Sequence, residues 1–204
     1  MPHEGGCQCD ECEKEVLTTE YNLFTKINDS KFSCLGEEVP GSGRKVFKPY
    51  ADRNDETDYV NTDCDPEIIF NIPFHGNVKL KSFIIKGGEG NHPTKVLLFK
   101  NKLSMTFDDC QRKQPDQVFE LAYDPQAKGQ YNVKATKFNG THHLTMFFPD
   151  SADGEETKIY YIGLRGEFDK VNRDEIVICN YEIAANPADL ESKAFQTNTT
   201  RLGQ

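Results

Sequence analysis

From Glu67 to Glu182 the chain is a train of short apolar runs separated by turn residues, a pattern that folds as paired strands rather than helices. Its clearest piece is Tyr131–Phe138, then Asn139-Gly140, then Thr141–Phe148. Asn and Gly both tolerate the positive φ of a type I′ turn, whose twist matches that of paired strands, so a hairpin is expected here. Further strands are expected at Glu67–Ile72 and Val78–Ile85, joined through Pro73 and residues 75–77. The remaining runs are Lys95–Lys100, Gln117–Leu121, Lys158–Arg165 and Glu175–Glu182. About eight short strands without helical spacers predict an antiparallel all-β sandwich or jelly roll, not parallel βαβ units. Ile68-Ile69-Phe70 and Ile84-Ile85 are apolar on both faces, as in strands covered on both sides by a second sheet or by the N-terminal segment.

Three segments are expected. Residues 1–20 read as a flexible Gly- and Cys-rich tail, residues 21–186 as the β body, and residues 187–204 as a polar C-terminal tail. Within the body, Tyr21–Phe32 suits a short helix or an irregular segment packed on the sheets. Arg44–Asp58 reads as a long loop anchored by Phe47 and Tyr50. Gly87–Pro93 reads as an exposed turn and Asp108–Asp116 as a polar loop.

The 204 residues are enough to bury one core without metal or disulfide staples. Tryptophan is absent, so 14 Phe and eight Tyr must supply the bulky side chains. A formal charge of −9 argues against a nucleic-acid partner, which calls for a positive face. No apolar stretch approaches the roughly 18 residues of a membrane span. Met1–Cys12 has no apolar core of the kind that marks an export signal. Seven irregularly spaced cysteines fit reduced thiols in the cytosol or nucleus.

Candidates for chemistry are few. His3, Cys7, Cys9 and Cys12 supply one imidazole and three thiolates, a donor set that could close a tetrahedral zinc site. The same residues also read as a thiol-rich tail, because no second Cys or His pair follows at zinc-finger spacing and no apolar residue is there to fold around a metal. Cys9-x-x-Cys12 has redox spacing, but its acidic flank raises thiol pKa rather than lowering it. His142-His143 point to opposite faces of a strand and cannot chelate one ion; these residues, His75 and His92 read as surface or turn histidines. Asp63, Asp65 and Glu67 start like a calcium loop but lack its later Gly and Glu, and Asp108-Asp109 read as turn caps as readily as a catalytic pair. Lys79, Lys81, Lys86 and Lys95 form a basic stripe that suits either an acidic partner or a solvated strand face. Arg165-Gly166-Glu167, beside Phe168, is expected at a tight turn ending a strand, where it would contact a partner or clamp the strand end.

Several collinear blocks carry a resemblance. Cys34–Glu37, Tyr59–Asp65, Phe70–Phe74, Asn77–Lys81, Met105–Asp109, Pro115–Gln117 and Tyr160–Gly163 resemble the PITH domain, the proteasome-interacting thioredoxin-associated module. Ile162–Glu167, Ile178–Tyr181, Ala185–Asp189 and the opening His3–Cys9 resemble one branch of that family. The resemblance implies a β-sandwich of jelly-roll, galactose-binding-like shape. In a better-understood relative the module follows a thioredoxin domain and docks on the regulatory particle of the 26S proteasome. These 204 residues are not expected to hold a thioredoxin domain, so the resemblance does not imply redox activity, and the family supplies no catalytic residues to carry over.

The expected role is therefore a non-enzymatic, monomeric interaction module of the cytosol or nucleus, associated with the proteasome or a related assembly, with neither nucleic acid nor membrane as partner. Contacts are expected at His92, at Asp108 and Asp109, and at Arg165, Glu167 and Phe168, on loops at one end of the sandwich. Two alternatives stay open: a sugar-type ligand module, weakened by the absence of Trp, and a metal- or redox-sensing Cys tail on an inert scaffold.

Overall fold

The computed structural model describes residues 21–169. Eight strands are present among them: β1 (Ser33–Leu35), β2 (Val60–Asn61), β3 (Ile68–Gly87), β4 (Lys95–Lys100), β5 (Gln117–Glu120), β6 (Gln130–Asn132), β7 (Thr141–Phe148) and β8 (Lys158–Asp169). Every pairing is antiparallel. The organising element is β3, a strand of 20 residues that belongs to both layers. Its first part, Ile68–Pro73, lies between β1 and β7, and β4 and β5 continue outward from β7. Its second part, Asn77–Gly87, lies between β8 and β6, and β2 closes that layer beyond β8. The register shifts between Pro73 and Val78, where the strand passes from one layer to the other. Pro73 suits that position because it has no N–H to donate to a ladder.

Two bulges keep the right side chains inside. Between Leu80 and Ser82, β3 spends one residue more than β8, so Val78 and Leu80 before the bulge and Phe83 and Ile85 after it all reach the core. Near Lys86 the extra residue sits on β8, which lets Ile159 share the inner face with Ile162 and Leu164. The main core joins Ile68, Phe70 and Ile72 of one layer to Phe83, Ile162 and Leu164 of the other, as two sheets packed face to face require.

Among the described residues both doubly apolar stretches are covered outside as well, by elements other than Tyr21–Phe32. Ile69 packs with Phe99, Met105, Cys110 and Phe147 beneath the helix Phe107–Arg112. Ile84 packs with Ala127 and Tyr161, against Tyr50.

The differences from the sequence expectation have physical causes. The Asn139-Gly140 hairpin does not form: only Gly140 has positive φ, β6 pairs with β3, and β7 pairs with β3 and β4. Val133 and Phe138 are both buried in the core, and the chain between them crosses from one layer to the other. The two strands expected between Glu67 and Ile85 are one strand. The expected loop Asp108–Asp116 begins as a helix capped by Thr106. Tyr21–Phe32 is irregular, with two short 3₁₀ turns and with Leu23 and Ile27 buried. The Cys-rich segment, the expected strand Glu175–Glu182 and the C-terminal tail lie outside the described residues.

Candidate functional site

The outward side of the β2-β8-β3-β6 layer carries the most distinctive chemistry. Alternation places Ser82, Ile84 and Lys86 of β3 on this side, next to Arg165, Gly163 and Tyr161 of β8. Gly163 is needed there, because any side chain at that position would collide with the Tyr161 hydroxyl. Burial pushes the Tyr161 phenol up to about 12, so it remains a neutral donor.

A loop lies over this face and is fastened by two buried ammonium groups. Lys48 donates to the carbonyls of Asp55 (2.6 Å) and Asp58 (3.4 Å). Lys86, with only 5% of its side chain exposed, pairs with Glu56 at 2.9 Å. Within the loop the 3₁₀ turn Tyr50–Asp52 is closed by Arg53, whose Nη1 donates to the Tyr50 carbonyl at 3.1 Å. The loop thereby presents Tyr50 and Arg53 in fixed positions.

Two guanidiniums meet on one ring. Arg53 Cζ lies 4.1 Å and Arg165 Cζ 4.6 Å from the Tyr50 centroid. Arg165 Nη1 also donates to Gln130 Oε1 at 3.1 Å, and Gln130 Nε2 to Ser82 Oγ at 2.6 Å. No carboxylate among the described residues pairs with either arginine. Two like charges within about 9 Å repel by on the order of 1–2 kcal/mol at the effective dielectric of such sites, so the pair concentrates positive potential on an acidic chain.

The positive, aromatic character continues along the layer. Lys158 Nζ lies 4.2 Å from the Tyr59 ring and 5.3 Å from the Tyr160 ring. Lys81 stands 4.4 Å over Tyr21 and bonds Glu167 at 2.5 Å, while Lys79 reaches the same carboxylate at 3.6 Å. These contacts hold the Glu167 carboxyl below its ordinary range, chiefly through the hydrogen bond from Lys81. Tyr and Arg dominate the buried anchors of protein interfaces, and this face combines both.

The expected site residues do not gather at one end of the sandwich. Arg165, Glu167 and Phe168 are not at a turn: β8 runs on to Asp169, and Gly166 fits because a side chain there would strike the Lys79 carbonyl. Arg165 and Glu167 lie on the face just described, whereas Phe168 is partly buried against the core with Lys26 over its ring. His92 lies in the β3–β4 connection, its ring tilted at 43° to that of Tyr123 with the centroids 5.2 Å apart. Asp108 and Asp109 belong to the helix on the other layer, and Asp109 completes a capping box with Thr106. His3, Cys7, Cys9 and Cys12 lie outside the described residues. Of the basic stripe, Lys79, Lys81 and Lys86 share the face, while Lys95 is on β4. Arg53 was not anticipated; the sign available in the sequence was Tyr50 and Arg53 three apart in a polar loop.

The described thiols are poorly suited to nucleophilic work. Burial, with Glu37 nearby, raises Cys34 strongly; burial takes Cys110 to about 11; and Asp63 raises Cys64. No cluster of three or more potential metal ligands occurs among the described residues. Two clefts there, of about 180 and 290 Å³, lie at or below the lower end of the usual volume of small-ligand pockets. Each has one aromatic wall, Tyr59 in the smaller and Phe107 in the larger.

Comparison with known proteins agrees with this architecture. The family model described as PITH domain matches residues 13–185. PITH domain-containing protein 1 of Xenopus laevis is 46% identical over 190 residues, covering 92% of this chain and 90% of that protein. The human protein of the same name is 43% identical over 189 residues, covering 91% and 89%, and that of Dictyostelium discoideum 36% over 177 residues, covering 86% and 87%. Among solved structures, the CBM32-1 and CBM32-2 domains of Clostridium perfringens ZmpB superpose with a TM-score of 0.52 at 12% identity, over 79% of this chain and 40% of that one. That likeness concerns the fold alone: an antiparallel β-sandwich of the jelly-roll, galactose-binding-like type.

Proposed function

This chain belongs to the PITH domain family, and we propose that it is a non-enzymatic interaction module whose protein partner docks on the basic, tyrosine-rich side of the β2-β8-β3-β6 layer. Both the family and the fold fit a binding module. The observation that carries the choice of surface is the convergence of Arg53 and Arg165 on Tyr50 without a carboxylate among the described residues. The face calls for a partner with an acidic surface. The resemblance to the proteasome-docking module makes the regulatory particle of the 26S proteasome, or a related assembly of the cytosol or nucleus, the partner we propose, engaged by a monomer.

Purified 26S proteasome and tagged chain test this directly. Wild-type chain is expected to retain the particle at moderate salt, and Arg165→Ala combined with Tyr59→Ala to lose most of that retention. Loss of an interface hot spot corresponds to roughly 30-fold in affinity. No retention by wild-type chain would remove the proteasome reading. Retention unchanged in the double variant would move the contact to another surface.

A further inference from the structure

The Arg53–Arg165 pair is more specific than a positive patch. Each guanidinium gives one nitrogen to a protein oxygen: Arg53 Nη1 to the Tyr50 carbonyl and Arg165 Nη1 to Gln130. The other two nitrogens of each have no acceptor among the described residues. One of those two is also shut away from water, Nε in Arg53 and Nη2 in Arg165. Enclosed donors without acceptors are rare in folded proteins and ask for an explanation. Here the cause is positional, because both arginines are committed to the Tyr50 ring and the loop that carries it is held by Lys48 and Lys86.

We infer that Arg53 and Arg165 form a two-pronged receptor for one side-chain carboxylate, an Asp or Glu on an acidic segment of the partner. This rests on the reading of the face as a docking surface and names the group it takes. A carboxylate fits because its two oxygens can accept one bond each from the nitrogens left open, Nη2 of Arg53 and Nε of Arg165, and its charge offsets the repulsion between the two cations. Tyr50 holds the prongs apart by the π contacts already described, so the receptor is in place before the partner arrives and little ordering entropy is lost on binding.

The test uses the full chain, labelled with ¹⁵N, and follows the arginine Nε–H resonances during titration with acetyl-Glu-Glu-Glu-Glu-amide. Acetyl-Gln-Gln-Gln-Gln-amide and inorganic phosphate serve as the comparison probes. Saturable shifts at Arg53 and Arg165 with the Glu peptide, and none with the Gln peptide, are expected. Arg165→Lys keeps the charge but loses the fixed, directed Nε–H and should weaken binding about tenfold; Lys95→Ala, on the other layer, should change it less than twofold. An absence of saturable shifts, or shifts that survive Arg165→Lys undiminished, would overturn the receptor. Phosphate binding tighter than the Glu peptide would overturn the choice of a carboxylate. Peptide binding without proteasome retention would leave the receptor standing and remove the partner; retention without peptide binding would do the reverse.

Discussion

The Arg165 guanidinium lies 4.6 Å from the Tyr50 ring centroid, tying β8 to the loop that crosses it. A cation over an aromatic face contributes about 0.5–1 kcal/mol when exposed and up to roughly 2 when desolvated. A cycle of Tyr50→Leu, Arg165→Gln and both together should therefore show a coupling of about 1 kcal/mol in urea denaturation. Leu preserves most of the apolar contact with Ile84 and Ala127, so a coupling near zero would mean that the ring acts only by packing.

The Lys86–Glu56 pair should respond unequally to loss of its two members. Lys86 is enclosed, while the Glu56 side chain is 59% exposed. Glu56→Ala strands an ammonium in the interior and should destabilise by about 1–3 kcal/mol, the lower values reflecting solvent screening of the carboxylate. Lys86→Met removes charge and partner need together while filling the same space, and should be near neutral. Thermal denaturation of the two variants side by side checks the order, and equal losses would contradict it.

The β character of this chain is legible from composition and alternation, because strand-forming runs need only local information. Lys95–Lys100 matches β4 residue for residue. Partner choice is less legible. Asn139-Gly140 has the chemistry of a hairpin, yet burial of Val133 and Phe138 outweighs it and sends the two flanking runs to different neighbours. Pro73 and Gly76 read as a break between strands, whereas tertiary pairing on both sides carries β3 straight through them. The bulges at Lys81 and Tyr160 invert alternation locally, so no single period describes β3 or β8. The site was legible in part: Arg165, the lysine stripe and Tyr50 were visible as separate features. Their meeting depends on a loop folded back over the sheet, which no local pattern encodes.

The helix Phe107–Arg112 was hidden because it is less than two turns long and reads as polar. Its stability depends on its first turn. Thr106 Oγ1 accepts from the Asp109 N–H at 3.4 Å, and the Asp109 carboxylate accepts from the Thr106 N–H at 3.4 Å. Thr106→Ala should cost about 1 kcal/mol, the usual value of a lost N-cap. Because the helix covers Ile69 and Phe99, hydrogen exchange at their amides and increased labelling of Cys110 should report the loosening. Thr106→Ser should restore protection, and unchanged exchange in Thr106→Ala would show that packing alone holds the helix.

His143 supplies a pH dependence with a definite sign. It is buried on β7, its Nδ1 has no partner, and burial holds its pKa below the ordinary 6.5 by disfavouring the imidazolium. Between the folded and unfolded pKa values the unfolded chain binds more protons, so acid favours unfolding. The stability due to a neutral His143 is complete above about pH 7.5; it begins to fall as pH drops through 6.5 and is lost once pH passes the folded value. Urea midpoints of wild type and His143→Gln, measured from pH 8 to pH 5, should therefore differ progressively, with the wild type falling further. The imidazole proton resonance of His143 should titrate with a midpoint below 6.5. A midpoint at or above that value, or parallel stability profiles, would show that the ring finds an acceptor or water on β7 and that its burial carries no acid sensitivity.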